Sequence, residues 1–169
     1  MKTLIQKFGC AITDRIFIVM VNLLILLIAL AAVFDASKLL TNLTNDFNEV
    51  EAMLDGIGII FVAYGVALEE RETMMKMFDL YPSFLSGQQE FIDRSCHHHG
   101  LSLLLVGLVM ETTVEIVKLP QRILHTEGKE GVIFGVGFFF CFIATIVLIR
   151  HCVLLIRLPK KLSSEHQEG

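Results

Sequence analysis

The sequence predicts an all-α membrane protein, a four-transmembrane-helix antiparallel bundle with a short amphipathic helix before the third span. Three observations carry that reading. Four apolar blocks are of roughly bilayer-spanning length. Charged residues make up 19 % of the 169 residues and mean hydropathy is +0.65, against about 25 % charged in soluble domains. Lys and Arg are unevenly shared between the two sides of these blocks, ten against four, as in polytopic chains. The whole of 1–169 is read as a single integral membrane domain, with spans at about 16–34, 53–68, 101–117 and 132–149 and a polar tail at 159–169.

The first block, Ile16 to Phe34, contains one strongly polar residue, Asn22. Lys2, Lys7 and the Ala29-Leu30-Ala31 tripeptide resemble parts of a signal peptide, but the apolar run exceeds a usual signal core, so it is read as a retained span. The second block, Met53 to Leu68, starts beside Asp55 and stops at Glu69-Glu70-Arg71-Glu72. Its Gly58 and Gly65 are seven apart and share a face, which favours close helix packing in lipid. Beyond Glu69 the helix is expected to continue through Met74, Met75 and Met77 and to break at Tyr81-Pro82. A further helix is expected to start near Ser86 and run unbroken through His97, His98 and His99 into the third block, Leu101 to Val117. The fourth, Val132 to Ile149, opens on Gly131 and Gly135, a GxxxG packing motif, and continues to Pro159.

Orientation follows from basic residues in the connections. Lys2, Lys7, Arg15, Arg71, Lys76, Arg94, Arg150, Arg157, Lys160 and Lys161 fall on one side; Lys38, Lys118, Arg122 and Lys129 fall on the other. Both termini are therefore expected to be cytoplasmic. The first connection is acidic and carries an Asn42-Leu43-Thr44 sequon, read as a chance match.

Composition excludes several function classes. A net charge of -4 without a basic face argues against nucleic acid. The four cysteines include no CxxC pair, so disulfide, zinc-ribbon and redox motifs are not indicated. Phosphate-binding glycine loops, HExxH and GxSxG are absent. No enzyme and no cofactor are expected.

Two constellations remain. Glu111 and Glu115 lie four apart on one helical face inside a span, where ionisable groups are costly and face a bundle interior, a cavity or a partner. If both ionise they repel, so one is expected to hold a proton, as a proton or cation site requires. Asp55 falls at similar depth and joins them. The second constellation is the Cys96-His97-His98-His99 run. His99 and His151 fall at one depth and could hold haem b between facing helices, yet consecutive histidines point about 100° apart, so one at most meets any partner. The alternative is an interfacial polar collar. Glu69, Glu70, Arg71 and Glu72 are expected to pair with Arg150, His151 and Arg157 as a charged belt.

The leading functional expectation is a small non-enzymatic polytopic protein, a structural or accessory subunit of a larger membrane complex or a homo-oligomer. Its partners would be the lipid bilayer and other membrane subunits or copies of itself. A proton or cation conduit using Glu111 and Glu115 is the alternative, and a haem-binding electron-transfer subunit the third reading.

Overall fold

A computed structural model describes residues 15–39, 47–77, 87–118 and 129–157. Among them are five helices and no strand: α1 (Arg15–Leu39), α2 (Phe47–Glu69), α3 (Arg71–Met77), α4 (Gly87–Lys118) and α5 (Glu130–Arg157). Four of the five are long and apolar enough to cross a membrane. The proline breaks at Pro82, Pro120 and Pro159, the sequon and the polar tail lie outside the described residues.

Helix boundaries extend past the apolar blocks in the expected directions. α2 begins at Phe47, a turn and a half before Met53, with Glu49 in its first turn, where a carboxylate complements the helix dipole. At Glu70 the chain turns, but Glu70 N donates to Val66 O and Met74 N to Glu70 O, so α3 prolongs the path of α2. The amphipathic segment before the third span is not a separate helix; it forms the first turns of the 32-residue α4, which carries all three histidines without interruption.

The burial pattern inverts that of a soluble bundle. Outward positions carry large apolar side chains, among them Ile16, Met20, Leu27, Phe34, Phe139 and Ile156. Inward positions are often small: Ala29 and Ala144 are fully buried, and Gly65, Gly100 and Gly107 are buried too. Water would penalise that surface, whereas lipid does not, and small residues let backbones approach where no hydrophobic drive exists between helices.

The largest interface joins α2 and α4. A Cβ added at Gly65 would lie 2.6 Å from Leu104 N and 2.8 Å from Gly100 O; one added at Gly107 would lie 2.9 Å from Gly58 O. Gly58 and Gly65 thus pack as their spacing predicts, and Gly100 and Gly107 answer them on α4. Gly135 does not: a Cβ there meets nothing within 4 Å. The GxxxG of α5 is therefore no contact point of Gly135 within this chain; Gly131 is partly buried. Two residues on, Gly137 packs on Leu54 and Thr113.

Candidate functional site

Polar side chains gather at the two ends of the bundle, separated by a packed apolar layer. One end is acidic. The first turns of α2 bring Asp55 beside the last turns of α4, where Glu111, Glu115 and Lys118 recur at helical spacing. Lys118 Nζ donates to Asp55 Oδ2 at 3.2 Å and to Glu115 Oε1 at 3.2 Å, so one ammonium bridges two helices. Glu115 keeps 63 % of its side chain exposed and Asp55 31 %, so this pairing is screened and worth little on its own. Glu111 sits deeper, faces Asp55 and places its carboxyl over Gly58, where a Cβ would come 2.5 Å from Oε1. That oxygen is buried and has no hydrogen-bond partner among the described residues. All three carboxylates singled out from sequence are thus brought together. Gly58 has a second duty, making room for Glu111.

The other end is a cross-link through the interior. Asn22 of α1 and His151 of α5 are fully buried. Tyr64 of α2 donates to Asn22 Oδ1 at 2.8 Å, Asn22 Nδ2 faces His151 Nδ1 at 3.1 Å, and His151 Nε2 lies 3.8 Å from Cys96 Sγ of α4. Four long helices each supply one member. A buried polar group without a partner is costly, so the chain specifies one relative placement of these helices. His99 stacks on His151, with ring centroids 4.6 Å apart and planes 14° apart, and donates from Nδ1 to Ser95 O at 2.8 Å.

The depth match of His99 with His151 is as expected, and His97 and His98 are exposed. The ring arrangement does not suit haem. Imidazole lone pairs lie in the ring planes, so two stacked rings cannot aim at one iron between them. His151 is also an interior residue, not a member of an interfacial belt.

The charged belt is corrected in its pairing. Arg71 meets Asp93 of α4 in an ion pair whose side chains are 6 % and 8 % exposed, and Gln89 Nε2 donates to the same carboxylate at 3.3 Å. Glu72 pairs locally with Lys76. Asn22 was visible in sequence as the lone polar residue of its span, but nothing there named its partner. Asp93, Cys96 and Gly100 share one face of α4 with Leu103 and Gly107, and that stripe was the available signal for the Arg71 and His151 contacts.

Compared with known proteins, the chain matches no family model, no curated protein and no solved structure.

Proposed function

We propose that the four long helices cross a bilayer as an antiparallel bundle with both termini cytoplasmic. The protein acts without catalysis, as a structural or accessory subunit of a larger membrane complex or as a homo-oligomer. The inverted burial pattern supports insertion. The opposite order of contacts along α2 and α4, Gly58 on Gly107 and Gly65 on Gly100, supports the antiparallel arrangement.

The observation that carries the functional reading is the packed, largely apolar layer between the two polar ends. Phe61, Leu103, Met110, Ala144 and Leu148 are all fully buried there, and the hydroxyl of buried Thr145 beside them is turned back to Cys141 O of its own helix. Meanwhile only 28 to 33 % of each spanning window is buried, so most of every helix is available to lipid or to another protein. Gentle solubilisation followed by native mass measurement tests this. Particles larger than one 19.0 kDa chain, with copies or other membrane proteins retained, are expected. A monodisperse single chain with nothing bound would contradict the reading.

A second reading rests on Glu111. Two facing carboxyl groups, one with an oxygen that has no partner among the described residues, can hold a proton or a cation between them. Flux into proteoliposomes separates the readings. Wild type and Glu111→Gln are expected to match protein-free vesicles. Flux in wild type that Glu111→Gln abolishes would establish the conduit instead.

A further inference from the structure

The polar cross-link contains a donor pair that helix packing alone does not require. We infer that Cys96 and His151 form a two-coordinate site for one soft monovalent metal ion, of the Cu(I) or Ag(I) class.

Geometry comes first. With a metal–sulfur bond of about 2.3 Å and a metal–nitrogen bond of about 2.0 Å, two donors stand about 3.5 Å apart in a tetrahedral bend and about 4.3 Å apart in a line. The Sγ–Nε2 separation of 3.8 Å falls between those limits, so an ion fits with a few tenths of an ångström of adjustment. The orientation of the His151 ring is fixed on two sides. Its other nitrogen faces Asn22 and its ring is stacked on His99.

Charge selects the ion. Cys96 and His151 are both fully buried. A monovalent cation that replaces the thiol proton leaves thiolate, imidazole and metal with no net charge. A divalent ion would leave a positive charge in an apolar interior, at a large desolvation cost. Among the described residues no group of three or more His, Cys, Asp or Glu side chains could hold a metal, so the four-donor set that zinc prefers is missing. Thiolate and imidazole suit soft monovalent copper.

The hydrogen-bond chain can accommodate the exchange. In the present arrangement Tyr64 donates to Asn22 Oδ1, and the Asn22 amide nitrogen donates to Nδ1, so Nε2 carries the ring proton. Turning the Asn22 amide over reverses the chain: Nδ1 donates to Oδ1, Nδ2 donates to the Tyr64 oxygen, and Tyr64 donates to Ile18 O, 3.5 Å away. Every group stays partnered and Nε2 presents a lone pair. The S–H bond is then replaced by a sulfur–metal bond, Nε2 supplies the second donor, the thiol proton leaves to water, and no electron is transferred. Tyr64 also forms one wall of a groove of about 300 Å³ between α1, α2 and α3, with Phe17, Val21 and Arg71 among its other walls.

The test uses the full chain in mild detergent, with Cys10, Cys141 and Cys152 changed to Ser so that Cys96 is the sole thiol. Cu(I) is titrated anaerobically against a chromophoric Cu(I) chelator. One Cu(I) per chain is expected, weakened at least tenfold by Cys96→Ser or His151→Gln in the same background. X-ray absorption of the loaded parent should show one sulfur and one nitrogen donor, a readout that needs no further variant. Binding no tighter than that of the Cys96→Ser chain would overturn the assignment. So would coordination by sulfur alone, or a preference for Zn²⁺ over Cu(I).

Discussion

Asp93→Leu should destabilise the protein by about 3–5 kcal/mol in denaturation from mild detergent, because it leaves the Arg71 guanidinium buried beside a hydrocarbon side chain. Both members of the pair are more than nine-tenths buried and lie on different helices, α3 and α4. The double variant Arg71→Met/Asp93→Leu should recover most of the loss and lie within about 1–2 kcal/mol of wild type, since a buried ion pair replaced by a packed apolar pair is often close to neutral. A double-mutant cycle reads this directly. Equal losses in the single and double variants would mean that the pair's surroundings, not its charge balance, set the cost.

Gly65→Ala is the second large effect. The added methyl would come within 3.0 Å of Leu104 N, Gly100 O and Leu104 Cα, all backbone atoms of a packed helix. No side chain can swing aside, so α2 and α4 must separate along their main interface. Overpacking of this kind costs about 1–3 kcal/mol, and Gly65→Leu should cost more because the larger side chain widens the gap further. The matched control is Gly135→Ala. Its new methyl meets nothing within 4 Å, and alanine is the better helix former by up to about 1 kcal/mol. It should leave the isolated chain unchanged or slightly more stable. If both alanine variants behaved alike in thermal unfolding, the close approach of α2 and α4 would not be what holds them.

The fold class was legible because its signal is additive over many residues. Four long apolar runs, punctuated by Glu69-Glu70-Arg71-Glu72, Lys118 and Arg150, place the helices within a turn or two. Gly58 and Gly65 revealed a packing face because seven residues make nearly two full turns. The same rule misled at Gly135. A GxxxG spacing says which residues share a face, and nothing about which neighbour that face meets. The acidic site was half legible. Glu111 and Glu115 are local on one helix, whereas the Lys118 bridge to Asp55 joins residues 63 apart. The cross-link of Asn22, Tyr64, Cys96 and His151 was the least legible part. Its contacts span up to 129 residues, and each member looks unremarkable on its own helix. His151 followed by Cys152 near Arg150 reads as a span end until the partner on α1 is known.

Whether the bundle crosses a bilayer with cytoplasmic termini is read out by the accessibility of single cysteines in the first turns of α2 and α4, which this arrangement puts on opposite sides of the membrane. Glu49→Cys and Glu90→Cys both replace exposed residues, each in a chain whose native cysteines are changed to Ser. A membrane-impermeant thiol reagent should label Glu49→Cys in intact cells and Glu90→Cys only after permeabilisation. Labelling of Glu90→Cys but not Glu49→Cys in intact cells would invert the orientation, and labelling of both from the same side would mean that α2 does not cross the membrane at all.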